Sequence, residues 1–491
     1  MAIVIRRESV EPIYLQLVRH FRAQIESGHL APGERLPPTR ALAWQLGVGR
    51  VSIVHAYAQL REEGLVVAWP GRGTFVAGKG TSAGREGQSV WQTTPVWNVG
   101  LREMTRLARQ PGVIAFNGGA PPDEFLPVEA LRHALNAVLN RDGAAAVTYE
   151  EPEGYQPLRQ SVASYVSSLG IQCSADDVLI TGGTQQALDL VVQTVLDASD
   201  VLVTGSPTYL GILDVARVRR IVPVGVPVGD EGMRLDTLET VLRERHPALI
   251  YVMPTYHNPT GTVMPLHRRR QLLALAAQYG ALVLEDAVYH ELGYHHAPPL
   301  PPLKAIDEDG VVIHASGFSK ILLPGTRIGY LIASGAVRER LVRLKEAADV
   351  CTPGLNQRAM QLYLNSGALS GHLQRVRAEL RARCEAACAA AARYLPEGTH
   401  WNTPEGGLYL WVRLPDSGPT AAELYATAIQ HGVAYAVGTL FHTDGSGGRH
   451  IRLNFAAHSP ARITEGLKRL GAAWQAWQRA FAPSVRRAPI L

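Results

Sequence analysis

The stretch "HASGFSKILLPGTRIGYL", residues 314–331, sets Lys320 just beyond a short apolar, β-branched run and seven positions before Arg327. A surface lysine keeps its ammonium in water on a flexible stem. One held among small residues at a strand end suits a different role, that of an amine that condenses with a carbonyl compound, with an arginine nearby for a phosphate. Alone, the stretch reads equally well as a surface loop, so the rest of the chain decides.

A lysine that anchors an aromatic aldehyde as a Schiff base needs three further parts. These are a carboxylate for the ring nitrogen, a cradle for a phosphate and a group that stacks on the ring. Each has a candidate near a strand-like run. "VLITGGTQQAL" reads as strand, glycine turn and helix, so amides near Gly183, Thr184 and Gln185 can face a phosphate at a helix N-terminus. It lacks the G-x-G-x-x-G spacing of a dinucleotide site. "ALVLEDAVYHEL" ends a buried strand with Glu285 and Asp286, and a carboxylate there can pair with a protonated ring nitrogen. "MPTYHNPTG" puts Asn258 in a turn as a donor to a ring hydroxyl, and "GSPTYLG" offers Tyr209 as the stacking ring. Singly, Asp286 could cap a helix, Asn258 could merely make the Asn-Pro turn and Tyr209 could be core. Together they converge on one chemistry.

The elements that must position these residues follow from pattern. A chain of 491 residues is too long for one core. Its 46% hydrophobic and 19% charged content is that of a globular protein rather than a disordered or fibrous one. From about residue 113, strand-like runs alternate with helical ones: "DVLIT" then "QQALDLVVQTVL", "LIYVMP" then "RRRQLLALAAQYG", then "ALVLED" and "GVVIHAS". The alternation predicts an α/β domain with a mostly parallel sheet and helices on both faces. Past about 340 the pattern turns helix-rich and then gives "GGLYLWVRLP", a smaller α+β lobe. This second stretch spans 113–475, and residues 79–112, rich in Gly, Ser and charge, read as a linker.

Residues 11–78 form a separate unit. "YLQLVRHFRAQIESG" has apolar residues at helical spacing, "PPTRALAWQLGV" is a short second helix, and "RVSIVHAYAQLREEGL" buries Ile53, Tyr57 and Leu60 as one stripe. "LVVAWPGRGTFVA" gives two short strands. Three helices and a hairpin, with a tight turn between helices two and three, describe a winged helix-turn-helix. Residues 1–80 hold ten Lys/Arg against six Asp/Glu, so +4 of the chain's net +5 lies in this part and favours an anionic partner. Arg50 and Ser52 open the third helix, where base edges are read. Arg40 can reach a phosphate, and Arg72 at the wing tip a minor groove. A winged helix that binds protein is the alternative.

Four cysteines (Cys173, Cys351, Cys384, Cys388) make no disulfide framework, and no metal site is expected from them. The start "MAIVIRRESVEP" has too short an apolar run for a signal peptide and no stretch reaches membrane-span length. The cytoplasm is the expected compartment.

Two resemblances sharpen these readings. "G.L.PGERLPPTR.LA..LGV.R.S" and "AY..L..EGLV....GRGTFV" make the first unit resemble the DNA-binding domain of the GntR family. That resemblance implies DNA contacts by Arg40 and Arg50. Gly49 departs from it, standing where the family often has Ser or Thr. "HNPTG", "EDAVY" and "SGFSKILLPGTRIGY" make roughly 110–475 similar to fold-type I pyridoxal-phosphate enzymes of the class I aminotransferase group. The implied roles are Lys320 as Schiff-base lysine with Ser319 beside it, Asp286 on the pyridine nitrogen, and Asn258 and Tyr289 on the ring oxygen. Arg327 with Gly183, Thr184 and Gln185 would hold the phosphate, and Arg452 in "HIRLNFA" the substrate carboxylate. Tyr149 in "VTYEEPEGYQPLR" would reach the partner subunit's phosphate in a head-to-tail homodimer. Gly317 departs from the pattern: the family usually has Ser or Thr there, so one phosphate hydrogen bond is missing.

A GntR head on an aminotransferase-like body resembles the MocR-type regulators. The expectation is a dimeric, pyridoxal 5'-phosphate-dependent transcription regulator that binds operator DNA and senses the cofactor or its adduct with an amino-acid or amine effector. The alternative is a working transaminase with a DNA-binding head, since the catalytic set is retained. "IAFNGGAPPDEFLP" also resembles the N-terminal segment of aminotransferases acting on aminoadipate or aromatic substrates.

Overall fold

Helix α1 (Ile13–Glu26) buries Leu17, Val18 and Phe21, the stripe its apolar spacing requires, against the Ile53, Tyr57 and Leu60 face of α3 (Arg50–Glu62). The computed structural model describes residues 13–31, 33–48, 50–63, 65–69, 73–76, 104, 106–119, 121–294 and 300–481. The chain divides into two compact units, residues 1–97 and 98–491.

In the first unit, α2 (Thr39–Leu46) contributes Leu42 and Ala43 to the same core. Tyr57 keeps its polar end satisfied inside that core by donating to Pro37 O at 2.9 Å. Strands β1 (Val66–Trp69) and β2 (Gly73–Val76) pair antiparallel, and Leu36 N donates to Thr74 O at 2.8 Å, so the segment before α2 flanks the wing. Burial of the Ile53 stripe leaves the opposite face of α3 to solvent, where Val54 and His55 are exposed and Ser52 is half-buried.

The second unit begins with β3 (Ile114–Ala115). Residues 106–108, which the sequence assigns to the linker, form a helical turn whose Ala108 is buried in this unit's core. The large sheet contains β4 (Val178–Thr181), β5 (Val201–Ser206), β6 (Val222–Gly229), β7 (Gly232–Met233), β8 (Leu249–Val252), β9 (Leu282–Asp286), β10 (Val312–Gly317) and β11 (Gly329–Ile332). Their order is β4-β11-β10-β9-β8-β5-β6-β7. Pairing is parallel from β10 through β6, and β11 runs antiparallel to both its neighbours. Strand residues alternate between two cores: Leu202, Leu249, Tyr251, Leu284 and Ile313 pack on one face, and Val203, Ile250, Val252, Val283 and Val312 on the other. Each face is closed by helices, Thr184–Val195 on the first and Leu235–Arg245 with Leu266–Tyr279 on the second. Burial on both sides explains why these strands read as unbroken apolar runs.

The direction of pairing brings the carboxyl ends of β4, β5, β8, β9 and β10 to one edge, the usual place for a ligand in an open α/β sheet. A second, antiparallel sheet, β12 (His400–Trp401), β13 (Tyr409–Arg413), β15 (Ala436–Val437) and β16 (His450–Asn454), forms the small lobe. Its neighbour β14 (Val433–Ala434) pairs in parallel with β3, so residues 114–115 tie the start of this unit to that lobe.

Candidate functional site

A cleft of about 290 Å³ opens at the carboxyl edge of the large sheet. Ten of the residues singled out from the sequence line it: Thr184, Gln185, Tyr209, Asn258, Asp286, Tyr289, Ser319, Lys320, Arg327 and Arg452. They come from five strand ends and the small lobe, separated by up to 268 positions in the chain. Three cations, Lys320, Arg327 and Arg452, face one carboxylate, Asp286, so the cleft favours an anionic ligand.

The phosphate side is built by close backbone packing. Gly183 has φ +93°, and a Cβ placed on it would stand 2.5 Å from Arg327 Nη2. A Cβ on Gly329 would stand 2.6 Å from Gly183 C and 2.7 Å from Thr184 N. Two glycines thus let β11 lie directly against the turn that opens the helix Thr184–Val195, and Arg327, two residues before Gly329, reaches Gly182 O at 3.1 Å. Gly317 belongs to the same packing. Its missing Cβ would meet Thr184 Oγ1 at 2.9 Å, Gly329 Cα at 3.0 Å and Ile328 O at 3.1 Å. The Thr184 hydroxyl stands in the space that a side chain on Gly317 would enter.

Asp286 is 2% exposed at the end of β9. Tyr251 OH donates to its Oδ2 at 2.8 Å and Val288 N to its Oδ1 at 3.4 Å. Burial nevertheless outweighs these donors and pushes its carboxyl up to about 6. A buried carboxylate short of a cation at a cleft wall is what a protonated ring nitrogen requires. Its neighbour Glu285 points to the other face, accepting from Leu303 N, Lys304 N and His314 Nδ1. Lys320 follows β10 and donates to Gly119 O at 2.6 Å. The glycine cradle, the buried carboxylate and the inward amine fit pyridoxal phosphate.

Tyr209 OH donates to Gln185 Oε1 at 3.1 Å, fixing the ring proposed to stack. Asn258 Oδ1 accepts from Arg452 Nη1 at 2.9 Å, and Arg452 Nη2 donates to the carbonyls of Asn117 and Gly118, both at 3.1 Å. The guanidinium lies 4.1 Å over the Tyr409 ring and 4.8 Å from that of Phe441. Tyr409 OH meets Tyr289 OH at 3.0 Å.

Tyr149 lies outside the cleft and is 81% exposed. Arg40 and Arg50 are the second residue of α2 and the first of α3; their side chains, and Arg72 altogether, lie outside the described residues. Sequence reading missed Tyr251, Tyr409 and the Asn117–Gly119 segment. Tyr251 had a signal, a hydroxyl in an otherwise apolar central strand. Tyr409 had none, since only the fold brings a strand of the small lobe to Tyr289. Among the described residues, no group of His, Cys, Asp and Glu is arranged to hold a metal ion.

Residues 111–470 match the family model for aminotransferase class I and II, and residues 13–76 that for bacterial regulatory proteins of the gntR family. The HTH-type transcriptional regulator YdfD of Bacillus subtilis, itself uncharacterized, is 30% identical, over 94% of this chain and 96% of its own. This chain belongs to the aminotransferase class I and II family and carries a gntR-family domain ahead of it. The probable rhizopine catabolism regulatory protein MocR of Rhizobium meliloti is 28% identical over 99% of this chain and 98% of its own. The aminotransferase domain also resembles the crystal structure of LysN, the alpha-aminoadipate aminotransferase of Thermus thermophilus, complexed with N-(5'-phosphopyridoxyl)-L-leucine. That likeness has a TM-score of 0.72 at 34% identity and covers 77% of this chain and 95% of that one.

Two outcomes follow from the geometry. The carboxyl of Asp286 is raised above its unfolded value, so the unfolded chain releases that proton first. The cofactor-free protein therefore loses stability as pH rises from about 4 to about 6, and the cost is complete above that window. Asp286→Asn should raise the unfolding free energy of the cofactor-free protein at about pH 8 by about 1–3 kcal/mol, and less toward pH 5, with the denaturation midpoint rising accordingly. The same variant should bind the cofactor poorly; an unchanged midpoint at the higher pH would contradict the burial argument. Gly317→Ser should weaken rather than tighten cofactor binding in an absorbance titration, because the added Cβ displaces Thr184.

Proposed function

We propose that this protein is a pyridoxal-phosphate-dependent, DNA-binding transcriptional regulator that senses the cofactor together with an amine or amino acid. The observation that carries the reading is that Lys320, Asp286, Asn258, Arg327 and Arg452 line one cleft of a chain that also has a GntR head.

Pyridoxal phosphate supplies, when bound, an aldehyde that condenses with amines and a ring that draws electrons from the bond beside them. Lys320 is the amine for that aldehyde, with Ser319 beside it. Asp286 holds the proton on the ring nitrogen, Asn258 and Tyr289 hold the ring hydroxyl, and Tyr209 stacks on the ring. The Gly183-Thr184-Gln185 turn and Arg327 take the phosphate. Arg452 binds the α-carboxylate of the effector. Its fork is fixed by Asn258 and by the rings of Tyr409 and Phe441, so a carboxylate meets a preorganised partner. To reach Nη2 the carboxylate competes with the carbonyls of Asn117 and Gly118. An effector therefore changes what holds the segment that leads back, through residues 79–112, to the head.

Residues 11–78 bind double-stranded DNA, with Arg50 and Ser52 reading bases, Arg40 on a phosphate and Arg72 in a minor groove. The body works as a head-to-tail homodimer in which Tyr149 reaches the partner's phosphate. Its 81% exposure, beside exposed Val147, Leu139 and Val128, suits a residue completed by a second chain. No helix among the described residues is long and apolar enough to cross a membrane. A regulator of this kind acts in the cytoplasm, where the DNA is.

A second reading is favoured by one observation. Lys320 and Arg452 share the cleft, so the base for a Cα proton and the carboxylate clamp are both in place. A transaminase half-reaction with some α-amino acid is the activity that arrangement supports, alongside regulation or instead of it.

Arg50→Ala tests the DNA-binding half. A lost base contact is worth about 1–3 kcal/mol, so specific binding should weaken by about tenfold or more at constant salt, while the cofactor's visible absorbance is unchanged. Equal operator affinity of variant and parent would remove Arg50 from the reading surface.

A further inference from the structure

Gly182 is held at both its N–H and its carbonyl. Its N–H donates to Gln186 Oε1 at 2.6 Å, and its carbonyl accepts from Arg327 Nη2 at 3.1 Å. The first contact resembles the return half of a capping box, a glutamine in the first helical turn reaching back to the chain before it. Gln186 cannot hold that position unaided, because a half-exposed glutamine samples several rotamers. Its amide is oriented by Asp349, whose Oδ2 accepts from Gln186 Nε2 at 2.8 Å. Asp349 is oriented in turn by Lys345, which has no exposed surface and donates to Oδ1 at 2.6 Å.

A buried lysine is costly unless its charge is met, and here one carboxylate meets it while its second oxygen accepts from Gln186. The backbone beyond Asp349 is also strained. Val350, a β-branched residue, has φ +64° and ψ −60°, and Cys351 N donates to Asp349 O at 2.6 Å, closing a tight γ-turn of the rare kind. Strain of this sort persists only where surrounding structure over-determines it. Asp349 is the last residue of the helix Gly335–Asp349, and the γ-turn sets where that helix end presents its carboxylate.

We propose that Lys345, Asp349 and Gln186 are positioning residues for the cofactor's phosphate. Lying outside the cleft, they act through Gly182 on both phosphate-holding groups, the turn at Gly183-Thr184 and the Arg327 guanidinium. The inference rests on the assignment of that turn and Arg327 to the phosphate. It separates them from the lysine and ring contacts, which this chain of hydrogen bonds does not touch.

The test compares two ligands for the purified full-length protein: pyridoxal 5'-phosphate and pyridoxal, which has the same aldehyde and ring and no phosphate. Asp349→Ala, Gln186→Ala and Lys345→Met should each weaken binding of the phosphorylated ligand on the order of tenfold with pyridoxal binding unchanged; the thermal midpoint holds for Gln186→Ala and falls for Asp349→Ala, which leaves Lys345 buried without its carboxylate. The double variant Gln186→Ala with Asp349→Ala should lose no more than Gln186→Ala alone, because Asp349 acts only through Gln186. If Lys345→Met does not fold, the two surface-accessible variants decide. Equal losses for both ligands, no loss for either, or additive losses in the double variant would overturn the proposal. If the parent protein itself does not distinguish the two ligands, the phosphate assignment fails first.

Discussion

The site depends on one close approach: β11 lies against the turn after β4 with no side chain between them. A Cβ on Gly329 would stand 2.6 Å from Gly183 C, and one on Gly183 would stand 2.5 Å from Arg327 Nη2. This contact sets the direction in which the helix Thr184–Val195 starts, and with it where the first amides point. It also places Arg327 over the turn and, through the pairing of Gly317 with Gly329, the end of the strand that carries Lys320. The Gly183–Thr184 turn and Arg327 are therefore placed together. Interiors packed at crystal-like density transmit a misfit of even one methyl group, so each of these glycines is a functional residue without contacting a ligand through a side chain.

Asp286 is the second constraint, and it is of opposite character. The glycines relieve crowding, whereas Asp286 stores an electrostatic cost, since burial opposes its charge more than Tyr251 OH and Val288 N support it. A cationic ring nitrogen beside it, as proposed, would relieve that cost. A site made tight by unfavourable burial in its empty state is a general way of turning stability into affinity. In Arg452, Nη1 donates to Asn258 and Nη2 to the carbonyls of Asn117 and Gly118, while the buried Nε has no hydrogen-bond partner among the described residues.

Much of this was legible from the residues. The alternation of "LIYVMP", "ALVLED" and "GVVIHAS" with helical runs predicts a mostly parallel sheet, and the sheet is parallel from β6 to β10. The helix stripe of Ile53, Tyr57 and Leu60 is buried. Lys320, Asp286, Asn258 and Arg327 announce themselves because turn chemistry and strand ends leave local signatures. What stayed hidden depends on distance through space. Tyr409 meets Tyr289, and Asp349 meets Gln186, across 120 and 163 positions, and no local period marks such pairs. The helical turn at 106–108 looked like linker because its few apolar residues gain meaning only against the body core. Gly317 read as a loss of one hydroxyl; only the folded packing shows that Thr184 fills its place.

The central claim is that ligand at the cleft and DNA at the head are coupled, which gives a coupling free energy between two sites. It is tested most directly by operator affinity, at fixed salt, against a panel of amino acids and amines, using a duplex recovered by selection from a randomised pool. The account predicts that at least one ligand that perturbs the bound cofactor's absorbance also shifts operator affinity or footprint. It further predicts that Lys320→Ala binds the operator without that response. Operator binding that is absent, or the same with every ligand, beside rapid multiple turnover of an amino acid with a keto acid, would contradict the regulator and leave an aminotransferase.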